Sequence, residues 1–101
     1  MSEPPADAET FLAVTDSIAD LQPGLSILEA GLLAGLHLKL AADSRSFARV
    51  FGVEHALVLR AVETLSGEAE LLAVTERNQK TQRARYEATP AGLAILDHLH
   101  G

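Results

Sequence analysis

The sequence predicts a mainly α-helical domain with a small β-hairpin, and three observations carry that reading. Alanine and leucine dominate an apolar content of 48% while aromatics stay at 4%, which favours helix over sheet. Apolar residues recur at spacings of three and four over most of the chain. Two runs within residues 71–88 break that period and flank a polar tip, Asn78-Gln79-Lys80-Thr81.

Taken in order, residues 1–6 are Pro-rich and polar and read as a disordered tail. Residues 7–22 place Phe11, Val14, Ile18 and Leu21 at spacings of three, four and three, an amphipathic helix with a coiled-coil-like seam. That seam either packs on its own domain or serves dimerisation. Pro23-Gly24 ends the helix. Residues 25–34 repeat the helical period, with Gly35 as the expected stop. Leu36-His37-Leu38-Lys39-Leu40 then alternates as a half-buried strand does, so a short strand is expected there.

Asp43-Ser44 supplies an N-cap, and Phe47, Ala48, Val50 and Phe51 form the inner face of the next helix. Gly52 permits the left-handed backbone of a tight inter-helix turn. A further helix from about residue 54 to 66 buries Leu57 or Val58, with Ala61, Val62 and Leu65. Residues 71–77 and 82–88 form the hairpin. Thr89-Pro90 opens a last helix, with Leu93, Ile95, Leu96 and Leu99 as its apolar face. This order is that of a winged helix-turn-helix over residues 25–101, preceded by an extra N-terminal helix.

A chain of 101 residues forms one domain with a single modest core. The absence of cysteine excludes disulfides and thiolate metal sites and suits a reducing cytoplasm. The longest apolar run, residues 30–36, holds two glycines and is far below the roughly 18 residues of a membrane span. The acidic start (Glu3, Asp7, Glu9) is opposite to a signal peptide's basic one. A cytoplasmic protein with no membrane contact is expected.

The formal net charge is −6, the wrong sign for a nucleic-acid binder taken as a whole. Its distribution is uneven. Residues 1–43 carry seven acids and one base, whereas residues 77–85 carry Arg77, Lys80, Arg83 and Arg85 and no acid. The local field at the hairpin is therefore decoupled from the total.

In a helix-turn-helix the second helix enters the major groove and its first side chains meet base edges. Alignment on Gly52 places Glu54, His55, Ala56, Leu59 and Arg60 on the outer face. His55 and Arg60 suit guanine acceptors or phosphates, and Ala56 or Leu59 a thymine methyl. Ser44, Arg45 and Ser46 open the preceding helix, where hydroxyls and amide donors meet the DNA backbone. In the hairpin, Arg83 and Arg85 project from one strand face while Ala84, Tyr86 and Ala88 take the other. Phosphate neutralisation by all four hairpin cations would add roughly −3 to −4 to the log–log salt slope.

Each feature has a plainer competitor. A basic run is often a solvated face, Arg60 has Glu63 and Glu54 within helical reach, and His55 has a turn to cover. Catalytic signals are weak: Ser66-Gly67 lacks a nucleophile elbow, no glycine-rich phosphate loop occurs, and Glu68 and Glu70 have no partner. His98 and His100 are two apart on a helix and diverge, so no metal site is expected. No enzyme activity and no cofactor are expected.

The residues Ser44-Arg45-Ser46-Phe47-Ala48, Phe51-Gly52, His55 and Val58-Leu59-Arg60, with Val62 and Leu65, resemble the start of the Rha-type phage regulatory proteins. Residues 86–96 (YEATPAGLAIL) fit that family's tyrosine–threonine–glycine helix start and, equally, the wing end of MarR-like regulators. The resemblance covers the central half of the chain. It departs from the Rha pattern at Val53-Glu54 and at Pro90-Ala91. It implies a winged-helix regulator with His55 and Arg60 in the recognition helix. The expected function is a small transcription regulator that binds double-stranded DNA as a homodimer. The alternative is a winged helix used for protein contact, favoured by the acidic N-terminal half and by Leu57 and Leu59.

Overall fold

The computed structural model describes residues 6–99. The elements are α1 (Ala6–Leu21), α2 (Ile27–His37), α3 (Ser44–Phe51), α4 (His55–Ser66), β1 (Leu72–Asn78), β2 (Arg83–Ala88) and α5 (Pro90–Asp97). The chain is mainly helical, with one two-stranded antiparallel sheet. Apart from Ala6, which opens α1, the expected N-terminal tail lies outside the described residues, as does His100.

The central element is α2. Ala30, Gly31, Leu32, Leu33, Ala34 and Gly35 are all buried, so this helix is apolar nearly all round and is packed against α1, α4, α5 and β2. A capping box starts it: Ser26 Oγ accepts from Glu29 N–H at 3.1 Å while Glu29 Oε1 accepts from Ser26 N–H at 2.9 Å.

The structure corrects the strand expected at residues 36–40. The helix runs through Gly35 to His37, then exits by left-handed Lys39 (φ 62°), which returns Leu40 N–H to the Gly35 carbonyl at 2.8 Å. Gly35 is a packing residue rather than a stop. It is buried beneath the Phe47 ring, and a Cβ there would lie 3.4 Å from Phe47 Cε2, in van der Waals contact. The signal that looked like strand alternation is a helix end followed by a turn, with Leu36, Leu38 and Leu40 half-buried.

Three phenylalanines then tie the N-terminal helix to the rest. Phe11 stacks on Phe51 with ring centroids 4.3 Å apart, and Phe51 meets Phe47 at 4.5 Å. Ile18 is fully buried, and Phe11 and Val14 pack on the core. The Phe11/Val14/Ile18/Leu21 seam thus packs on its own chain, as the first of the two expectations has it. Only Leu21 remains exposed.

Asp43 caps α3, its Oδ1 accepting Ser46 N–H at 2.8 Å, and Gly52 (φ 67°) turns the chain from α3 to α4. That φ is the left-handed region where a side chain is strained. On α3, Phe47 is buried, Ala48 and Phe51 half-buried, and Val50, placed on the inner face by sequence, is exposed. On α4 the ambiguity resolves to Val58, buried with Ala61, Val62 and Leu65, while Leu57 is 43% exposed. Thr89 caps α5 through Gly92 N–H at 3.1 Å, and Ile95 and Leu96 are buried while Leu93 is exposed.

The hairpin pairs Leu72 with Ala88 and Asn78 with Arg83, with an irregularity between Val74 and Glu76. Its other edge is not bare. Tyr86 N–H donates to the Ala42 carbonyl at 3.2 Å and Asp43 bridges to Arg85, so the stretch before α3 lies along β2.

Candidate nucleic-acid interface

The polar chemistry of the chain converges where the start of α3, the start of α4 and β2 meet. Its hub is Ser44, whose side chain has no solvent exposure. Ser44 Oγ accepts the backbone N–H of Ala84 on β2 at 2.9 Å and lies 2.8 Å from His55 Nε2 at the first position of α4. With one lone pair already used, the hydroxyl satisfies its own hydrogen by donating to the imidazole. Hydrogen-bond economy thus assigns the ring proton to Nδ1. Burial, together with the nearby Arg45 charge, pushes the His55 pKa below its usual value, against an opposing pull from Asp43.

Asp43 is the second anchor. Ser46 O–H donates to its Oδ2 at 2.9 Å, and Arg83 Nε stands 3.7 Å from its Oδ1. That separation is too long for a hydrogen bond, and Arg83 Nε has no acceptor among the described residues, so the pairing is coulombic. Burial alone would raise the Asp43 pKa. The Ser46 donors, with Arg83 and then Arg85, outweigh it and hold the carboxyl below its usual value. Burial first, and the Asp43 charge second, push the Tyr86 hydroxyl well above its normal range, so it stays neutral.

The hairpin tip is fixed by its own side chains and by α3. Asn78 Oδ1 accepts from Lys80 N–H at 2.9 Å and Thr81 N–H at 3.1 Å, and Gln82 adopts φ 62°. Arg45 reaches across from α3 and donates to the Thr81 carbonyl twice, through Nε at 3.1 Å and Nη2 at 2.9 Å. The hairpin is thus held to the body along its β2 edge and at its tip.

The residues expected to contact DNA separate into two groups. Ser44 is buried, Ser46 is half-buried on Asp43, and His55 is engaged at Nε2, so these three serve the joint rather than the surface. Leu59 is half-buried against the core, a correction to its place on the outer face: the helical period turns Leu57 outward instead. Arg45, Ala56, Arg60, Arg77, Lys80 and Arg85 are exposed. Arg85 faces Glu76 across the strands at 3.6 Å, an exposed pair worth roughly 0.2–1 kcal/mol. Arg60 forms no ion pair with Glu63 or Glu54, and Arg77 and Lys80 have no acidic partner among the described residues.

The register also divides the hairpin cations. Asn78 opposite Arg83 and Glu76 opposite Arg85 share one face, whereas Arg77 opposite Ala84 takes the other. One cation escaped the sequence reading. Arg49 lies four residues after Arg45 on α3, and with Arg45, Ala48, Thr81 and Arg83 it lines an open depression of about 410 Å³. The spacing of four that puts Arg45 and Arg49 on one helix face was visible in the sequence, but the hairpin tip opposite them was not.

No described helix is long and apolar enough to cross a membrane. Comparison with protein-family models, with curated proteins and with solved structures finds no match.

Proposed function

We propose that this chain is a winged-helix regulator that binds double-stranded DNA in the cytoplasm, acting as a homodimer. In this reading α3 and α4 form the helix-turn-helix and the β1–β2 hairpin is the wing. The observation that supports it most is the concentration of cations on α3 and the hairpin. Arg45, Arg49, Arg77, Lys80, Arg83 and Arg85 stand there, and among the described residues only Asp43 and Glu76 pair with them. Such a field attracts a polyanion locally despite the overall charge of −6. Attachment of the wing to α3 through Ser44, Asp43 and Arg45 holds the hairpin next to the cations of that helix.

The test is fluorescence polarisation on a random-sequence duplex, titrated with salt. Joint substitution of Arg77, Lys80, Arg83 and Arg85 by alanine is expected to abolish binding at moderate salt and flatten the slope by about 3 to 4. Undiminished affinity in that variant rejects the reading. Selection from a random duplex pool reports on symmetry, since enrichment of a palindrome is expected from a dimer.

A second reading, a winged helix that docks a protein, draws support from Leu57, which is 43% exposed on the outer face of α4. It predicts no salt-dependent duplex binding in the same assay.

A further inference from the structure

We propose that the depression between α3 and the hairpin tip seats one backbone phosphate of a bound duplex, with Arg49 as its principal ligand. This rests on the DNA-binding reading above and adds a residue and a docking direction to it. Arg45, Arg49 and Arg83 line the depression, with Ala48 and Thr81, and no acidic residue does. Their mutual repulsion is relieved only in part, because Asp43 balances Arg83 from outside the lining while Arg45 and Arg49 have no acidic partner among the described residues. An anion entering the space would satisfy them.

The groups also differ usefully in freedom. Arg45 is held by its two bonds to the Thr81 carbonyl, which leave Nη1 without a partner among the described residues. Arg83 is held near Asp43, with its Nε lacking an acceptor. Arg49 makes no hydrogen bond or ion pair among the described residues, so its whole fork is available. A phosphodiester presents two non-bridging oxygens, which match a guanidinium fork in bidentate fashion, and all three charged groups here are Arg rather than Lys. The depression is open rather than enclosing, which suits a phosphate delivered on a polymer already held by other contacts over a free ion.

The docking direction follows. The duplex backbone would pass over the α3 side of the hairpin tip, where Arg83 and Thr81 lie.

The experiment uses the full chain, its Arg49→Ala and Arg49→Lys variants, and a random duplex between 50 and 200 mM KCl. Loss of one phosphate contact reduces the salt slope by about 0.9, so the affinity drop across that range should shrink roughly 3.5-fold in Arg49→Ala. Arg49→Lys should recover the slope, since the charge returns without the fork. Equal thermal midpoints for the three proteins check that an exposed, unpaired side chain has been removed without harm to the fold. In parallel, the Arg49 Nε–H resonance is followed during titration with duplex and with inorganic phosphate. A perturbation by duplex at stoichiometric ratio supports the seat. Duplex binding with an unchanged slope in Arg49→Ala overturns the seat and leaves the DNA reading standing. Perturbation by inorganic phosphate alone overturns the duplex as its ligand. Failure of the unmodified protein to bind duplex at 50 mM KCl removes the DNA reading, and the seat with it.

Discussion

Substitution of Ser44 by alanine is the sharpest test of how the hairpin is joined to the helices. The side chain is fully buried, and so is Ala84, whose N–H it accepts at 2.9 Å. Alanine removes the acceptor without leaving room for water, so the Ala84 N–H is stranded at a cost of about 1–3 kcal/mol. The other partner differs: His55 is half-exposed, and its Nε2 can turn to water at little cost. The expected destabilisation is therefore about 2 kcal/mol, set by the backbone donor. For a domain of this length that corresponds to a fall in Tm of roughly 8–16 °C. Thermal and urea unfolding followed by far-ultraviolet circular dichroism would measure it, with amide exchange at Ala84 as a local readout. Ser46→Ala is the matched control. It loses a half-buried hydroxyl bond to Asp43 but keeps the backbone cap, and should cost under about 1 kcal/mol. A Ser44→Ala protein within roughly 0.5 kcal/mol of the parent, with Ala84 still protected, would refute the joint as described.

Three further outcomes follow from the same geometry. Asp43→Asn keeps a good N-cap but removes the charge, and the lowered Asp43 pKa sets the sign. The carboxylate contributes stability above its unfolded value of about 3.9, and that contribution is lost as pH falls through the lower folded value. Urea midpoints between pH 5 and 2.5 should therefore decline less steeply in the variant; parallel curves count against the assignment. For His55 the sign is that of a base with a depressed pKa. The unfolded chain takes up its proton first, so stability falls as pH drops from about 6.5 to the folded value and is level below it. An NMR titration of the ring should give a midpoint below 6.5, and His55→Gln should remove this step from the stability profile. Gly52→Ala should cost about 1–2 kcal/mol by chemical denaturation, purely from the left-handed backbone, because a Cβ there meets nothing within 4 Å. An unchanged stability would mean the turn relaxes to another conformation.

What was legible in the sequence was what local rules determine. Asp43 and Thr89 as caps, Gly52 as the left-handed turn, and the inward Ala84 and Tyr86 of β2 all follow from spacing and residue type, and the structure has them so. The failures have a common origin in tertiary contact. Gly35 has the sequence signature of a helix stop, but it is buried inside α2 against Phe47, which lies twelve residues away. Leu57 and Leu59 are equally apolar, and only the packing of α4 decides that Leu59 turns to the core. Ser44 and His55 read as surface donors because nothing local shows that β2 will cover Ser44 and that Ser44 will in turn engage His55.

Those two corrections bear on specificity under the proposed function. With Ser44 buried and His55 engaged at Nε2, the outer face of α4 offers Ala56, Leu57, Arg60 and Glu63. Arg60 is the only cation of that set, and it carries no ion pair among the described residues. A bidentate Arg–guanine contact contributes about 1–3 kcal/mol of discrimination, or roughly 5- to 150-fold per half-site. On that reading the cations of α3 and the hairpin would act on phosphates and add affinity without sequence information. Binding by such a surface should be strongly salt-dependent and only moderately selective, with discrimination concentrated at one base pair of each half-site. Arg60→Ala should then collapse the preference measured by pool selection while random-duplex affinity falls only as expected for one lost charge. A variant that keeps its preference would place the reading of bases on other residues.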